Sequence, residues 1–217
     1  MATKTKARVS PRIDLDILSE TFAEQLVSGL ACDATASGIN LPQLQSPRGQ
    51  PVRIDRCILH SVTLSDPNAR RLHLEDTRIE ASDLANIDLH NSSLERVEIT
   101  STRLTGATFT EAQLKSVLFR ECKMDLALFR MARLQQSVFE QCNLVDADFY
   151  GADLSGTIFR GCDLSGADLS HARLTGADIR DCRLDGLRGT PAAMDGLVIS
   201  PDQAPLLITL FGVRVAW

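Results

Sequence analysis

Two sets of side chains in this 217-residue chain have the chemistry to bind a metal or attack a substrate. One is a group of six cysteines, four of them spaced by twenty at Cys122, Cys142, Cys162 and Cys182; the other is four histidines, His60, His73, His90 and His171. Structural zinc needs such ligands to converge tetrahedrally on one point. A spacing of twenty instead lines the thiols up if the chain repeats with that period, and a straight line of sulfur makes no tetrahedron. His60 and His73 lie 13 residues apart, which sets them on different sides of any such repeat. There is no Cys-x-x-Cys pair, no phosphate loop and no Gly-x-Ser-x-Gly nucleophile turn. The expectation is a non-enzyme without catalytic, cofactor-binding or metal-binding residues, whose function lies in its surfaces.

The elements that position these residues follow a repeat of five. From Ile54 to Leu184 every fifth residue is Leu, Ile, Phe or Met at 26 of 27 places, with Ala69 the exception. A period of five fits neither the 3.6 of a helix nor the 2 of a strand, so the chain returns to one side of its own axis every five residues. Two residues before each large apolar centre a small one recurs, as at Ala107, Ala127, Ala147 and Ala167, and five cysteines, Cys57 included, occupy this slot. Both positions must point inward. The other three are mostly polar or glycine, and Ser155-Gly156 and Ser165-Gly166 suit corners with positive φ.

Six phenylalanines are centres spaced by ten, from Phe109 to Phe159. Twenty residues is four repeats, so a coil has four edges. Phe109, Phe129 and Phe149 then stack on one wall, and Phe119, Phe139 and Phe159 on the opposite wall. Stacked coils set neighbouring cysteine Cβ atoms about 4.8 Å apart, beyond the reach of a disulfide. The cysteines read as buried, reduced packing residues of a reducing compartment.

Ala152-Asp153-Leu154, Ala167-Asp168-Leu169 and Ala177-Asp178-Ile179 follow the pattern A-[DN]-L-x-x, through which the chain resembles the pentapeptide-repeat family over about residues 52 to 187. The resemblance implies an all-β solenoid, a right-handed quadrilateral β-helix of nearly seven coils, on the order of 32 Å long at about 4.8 Å per coil. Several members dimerise through their C-terminal ends. In some, an acidic rod of duplex-like width imitates DNA and occupies the DNA-binding saddle of DNA gyrase; these include regulators and proteins that protect against gyrase poisons. Some quinolone-protecting relatives carry loop insertions, whereas the register here is unbroken.

The flanks divide the chain further. Residues 1–51 form an N-terminal capping segment, in which Leu15, Leu18, Phe22, Leu26 and Leu30 predict an amphipathic helix from about Asp14 to Leu30, followed by an irregular connector. Residues 52–187 are the β-helix. Residues 188–217 are a C-terminal helical cap and dimerisation tail. There Ser200-Pro201-Asp202-Gln203 reads as a capping box, and Leu206, Leu207, Leu210, Phe211, Val213, Val215 and Trp217 are the candidate homodimer contacts.

The surface offers two leads. Net charge is −5, and region 52–187 carries 21 acidic against 16 basic residues, which argues against direct nucleic-acid binding. Asp146, Asp148, Asp153, Asp163, Asp168 and Asp178 are the candidate DNA-mimicking surface. The position before each centre is normally polar, but Leu118, Val138 and Ile158 break that rule at spacings of twenty, an apolar strip that needs a cover or a partner; Leu128 breaks it alone on another wall. No run of 18 apolar residues and no secretory signal pattern occurs, so the expectation is a cytoplasmic protein without a membrane partner. Two functions fit: an adaptor or regulatory scaffold that docks a protein partner on a wall, or a DNA mimic that binds DNA gyrase or another type II topoisomerase.

Overall fold

The protein is described by a computed structural model covering residues 9–11, 30–32, 35–37, 40–41, 51–64, 69–210 and 212–213. The chain winds as a right-handed quadrilateral β-helix whose short edges pair in parallel from coil to coil. The first wall holds strands Leu30–Cys32 (β1), Arg53–Asp55 (β4), His73–Glu75 (β7), Ser93–Glu95 (β9), Gln113–Lys115 (β11) and Arg133–Gln135 (β13). The second holds Thr35–Ser37 (β2), Ile58–His60 (β5), Arg78–Glu80 (β8), Glu98–Thr100 (β10), Leu118–Arg120 (β12), Val138–Glu140 (β14) and Ile158–Arg160 (β15). The third begins with Asn40–Leu41 (β3) and Thr63–Leu64 (β6) and continues as single bridges through Asp83, Arg103, Lys123, Asn143, Asp163 and Arg183. The fourth is built of single bridges through Asp88, Thr108, Leu128, Asp148, Asp168 and Arg188.

Edges of three residues could not stand alone; each is held by hydrogen bonds to the coils on both sides. Asp168 N–H donates to Ala147 O at 2.9 Å, and Phe149 N–H to Asp168 O at 2.8 Å. The chain turns at the residue two after each centre, which adopts the left-handed conformation, as at Gly166 (φ 70) and Leu126 (φ 59). Inside, Phe109, Phe129 and Phe149 stack with centroids 4.6 and 4.9 Å apart, and Phe119, Phe139 and Phe159 at 4.8 Å. The two stacks meet edge to face across the core at 5.8 to 6.4 Å, the favoured arrangement of aromatic quadrupoles.

The ladder is longer at both ends than the period of five indicates. Before Val52, β1, β2 and β3 pair with β4, β5 and β6, setting Ala31 opposite Ile54, Ala36 opposite Leu59 and Leu41 opposite Leu64. The offset there is 23 residues rather than 20, so this coil is out of phase with the rest, and two of its centres are alanine. The expected helix over 14–30 lies outside the described residues except for Leu30, which is in β1. Past Leu184, Met194 and Ile199 keep the phase and pack against the core, while Gly189 leaves a slot that Met194 fills. Val198 bridges Asp178 and adds a further rung.

Helix is confined to the C-terminal end among the described residues. Short 3-10 turns at Pro191–Met194 and Pro201–Gln203 precede a six-residue helix, Ala204–Thr209 (α1). The Ser200 N–H donates to Gln203 Oε1 at 2.9 Å, one half of the expected capping box. Gln203 does more: its buried Nε2 donates to Ile179 O and Cys182 O, both at 2.9 Å, and so ties the helical end to two carbonyls of the last coil.

Candidate partner-binding surface

The apolar strip assembles as its spacing requires. Leu118 pairs with Val138 and Val138 with Ile158 on β12, β14 and β15. It is not an open patch, however: Leu118 is 4% exposed and Val138 9%, and Ile158 is half-buried. Of the two alternatives that the strip required, a cover or a partner, this burial fits a cover. Strand alternation fixes the direction of a Cβ, not what lies over it.

The candidate acidic surface is largely spent on local structure. Asp148, Asp153, Asp163, Asp168 and Asp178 each turn Oδ1 back to the N–H two residues on, at Tyr150, Ser155, Ser165, Ser170 and Arg180, over 2.8 to 3.2 Å. In four of the five the other oxygen meets an arginine: Asp148 with Arg130 at 2.8 Å, Asp153 with Arg173 at 3.5 Å, Asp163 with Arg183 at 3.6 Å and Asp178 with Arg180 at 2.6 Å. Partial burial pushes Asp163 and Asp168 up, but the hydroxyls and N–H groups of Ser165 and Ser170 hold both below the ordinary carboxylate value. The Arg180 guanidinium does the same for Asp178. Asp146 stands apart, on a left-handed corner (φ 55) with its carboxylate over Gly166.

A different patch emerges on the fourth wall. Leu126 and Met131 occupy the two corners that bound the edge carrying Leu128, and both are more than half exposed, at 55% and 54%. Both have positive φ, 59 and 56, where a side chain with a Cβ is strained. Leu128 is half-buried between them. One coil up, Tyr150 lies 4.7 Å from the Arg130 guanidinium and 5.0 Å from the His171 ring. Met131 lies over Gly151, where a Cβ would meet its Sδ at 2.6 Å. Thioether, aromatic and guanidinium groups on a rigid wall are the types that concentrate in protein interfaces. A signal for this patch exists in the sequence: the corner column reads Asn86, Gly106, Leu126, Asp146, Gly166, Gly186, and only Leu126 is apolar.

The residues with metal or nucleophile chemistry are placed as their spacing predicts. His60 is on β5 of the second wall and His73 on β7 of the first; His90 follows the fourth wall's Asp88, and His171 is at a corner. Among the described residues no group of three or more His, Cys, Asp or Glu gathers to hold a metal. Cys122, Cys142, Cys162 and Cys182 are buried, unbridged and stacked one per coil. Their thiols donate to backbone carbonyls, Cys122 to Ile99 O and Arg120 O at 3.3 Å, Cys142 to Glu140 O at 3.4 Å and Cys162 to Phe139 O at 3.5 Å. The neighbouring thiols draw Cys122 and Cys162 down, while Cys142 and Cys182 are pushed up by their thiol neighbours and by burial.

The tail divides as an amphipathic cap does. Leu207 is buried and Leu210 packs on the core, closing the rod, whereas Leu206 and Val213 are exposed. Phe211, Val215 and Trp217 lie outside the described residues. Among the described residues no helix is long and apolar enough to cross a membrane.

Comparison with known proteins agrees with this architecture. The family description "Pentapeptide repeats (8 copies)" matches residues 122–161 and 147–186, and "Pentapeptide repeat region" matches 52–129. No curated protein matches the chain at a significant level. Among solved structures, a trypsin-treated variant of QnrB1, a plasmid-mediated fluoroquinolone resistance protein, is 21% identical over 88% of this chain and 93% of its own, with a TM-score of 0.47. HetL, a pentapeptide repeat protein involved in heterocyst differentiation regulation in the cyanobacterium Nostoc sp. strain PCC 7120, is 16% identical over 78% of this chain and 86% of its own, with a TM-score of 0.36. A pentapeptide repeat protein of the Arabidopsis thaliana thylakoid lumen is 24% identical over 44% of this chain and 66% of its own, with a TM-score of 0.28. With the period of five, the four-walled ladder and two family descriptions that together run from residue 52 to 186, the chain belongs to the pentapeptide-repeat family.

Proposed function

We propose that this protein is a non-catalytic scaffold that docks a protein partner on its fourth wall, at Leu126, Leu128, Met131 and Tyr150. One observation carries the reading: two large apolar side chains stand in solvent on strained left-handed corners, where neighbouring coils place glycine or polar residues. Every corner of the coil shares that conformation, so the mark of these two is the large apolar side chain left in solvent. The apolar tail residues Leu206 and Val213 suit a second copy, so the scaffold is proposed to act as a homodimer.

The competing reading, imitation of DNA toward gyrase or another type II topoisomerase, has the eight aspartates and five arginines of residues 146–188 in its favour. The pairing of Asp148, Asp153, Asp163, Asp178 and Asp185 with arginines weakens it, because a mimic must present uncompensated charge.

One experiment separates the two. Partners captured by the wild type are compared with those captured by Leu126→Gly/Met131→Gly and by Asp148→Lys/Asp168→Lys, and each protein is added to a gyrase supercoiling reaction. Loss of a specific partner with the glycine pair alone supports the wall. Inhibition of supercoiling that the lysine pair abolishes and the glycine pair leaves intact would replace it with DNA mimicry. Sedimentation of Leu206→Glu/Val213→Glu tests the dimer, which should dissociate.

A further inference from the structure

The thiol column is a buried cluster that partner docking does not use. Its four sulfurs follow one another coil by coil, and the coil rise is read from the phenylalanine stacks beside them, 4.6 to 4.9 Å. Such a line excludes tetrahedral zinc, but it matches another geometry. Soft cations with filled d shells take thiolates in preference to harder ligands and accept two of them in line. Two metal–sulfur bonds of about 2.3 Å laid end to end span about 4.6 Å, one coil rise.

We propose that the column binds copper(I), one ion in line between Cys122 and Cys142 and a second between Cys162 and Cys182. Each ion replaces two thiol protons, which leave to solvent, and each forms two S–Cu bonds, so every filled pair carries one negative charge. Backbone dipoles already point at these sulfurs: N–H groups of Thr102, Cys142 and Cys162 donate to the cysteine one coil up. The same contact holds the hydroxyls lower in the column, where Val62 N–H meets Ser82 Oγ at 3.1 Å and Ser82 N–H meets Thr102 Oγ1 at 3.3 Å. Those hydroxyl residues also show that the slot accepts serine without loss of the coil. Four thiols in one line divide into two separate neighbouring pairs in one way, Cys122 with Cys142 and Cys162 with Cys182.

The test is anaerobic titration of the reduced full-length chain with copper(I) buffered by bicinchoninate, both on the folded protein and during refolding from denaturant. The wild type should take up about two ions more than Cys142→Ser/Cys162→Ser, and the single variant Cys142→Ser should fall between them, about one ion short of the wild type. X-ray absorption of the loaded wild type should show two sulfur neighbours per copper. Equal uptake by the wild type and the double variant, with both folded by circular dichroism, would overturn the proposal. So would three-sulfur coordination, or no uptake by either route.

Discussion

Leu126 and Met131 adopt backbone angles that glycine adopts without cost, and glycine stands in the same corner columns at Gly106, Gly166 and Gly151. Replacing either leucine or methionine by glycine relieves about 1–2 kcal/mol of left-handed strain against about 0.5–1 kcal/mol of added chain entropy. Each variant should therefore melt at the same temperature as the wild type or a few degrees higher, while partner binding is lost; a drop of several degrees in a thermal melt would mean that these side chains serve stability instead. The carboxylates behave oppositely with pH. Partial burial pushes Glu140 up, yet Arg120 and Arg160 hold it below its ordinary 4.5, and Asp163, Asp168 and Asp178 lie below 3.8. Because the folded values are depressed, their stabilisation is complete above the ordinary values and is lost as pH falls through the folded ones. The melting temperature should stay level from neutral to about pH 5 and decline below about pH 4, so a decline beginning near pH 6 would contradict this account.

At the scale of the element, the paired phenylalanine stacks and the Gln203 plug bear most directly on stability. Phe129 lies between Phe109 and Phe149 and meets Phe119 and Phe139 edge to face. Phe129→Ala should cost about 3–5 kcal/mol in denaturant unfolding, and a cost below about 1 kcal/mol would show that the coils collapse around the gap. Gln203→Leu removes three hydrogen bonds, those to the carbonyls of Ile179 and Cys182 and the one from Ser200 N–H, which should cost about 2–3 kcal/mol; protection from hydrogen exchange should fall first in the last coil. The centres and small slots were legible in the sequence because a close-packed interior admits few residue types at each. The ends were not: a 23-residue offset shifts the phase before Val52, and Gly189 interrupts it after Leu184. The apolar corner patch escaped because corners tolerate almost any residue, so an apolar corner stands out only when the column is read as a whole. Gln203 looked like a helix cap, and its second role depends on carbonyls supplied by residues more than twenty positions earlier.

The whole molecule is a stack in which residue i lies over residue i + 20 on every wall, from Ile58 through Arg78, Glu98, Leu118, Val138 and Ile158 to Asp178 and Val198. Function on such a body is a matter of which residues share a wall and a level. Deleting one whole coil, residues 92–111, should leave a shorter folded rod that still binds through Leu126 and Met131. Deleting only 107–111 keeps the inward pattern but turns everything downstream by one wall, so binding through the patch can persist while its placement relative to the first coils is lost; scattering profiles and a two-site crosslink would tell these apart. Heredity meets the same arithmetic. Copying errors that add or remove one five-residue unit are invisible to the interior yet rearrange the exterior, whereas errors of twenty lengthen or shorten the body and keep every face in order. A lineage of such proteins can thus change its reach in steps of a full turn while passing on its contact surface intact, and any ancestor that gained or lost a single unit would have had to acquire a new one.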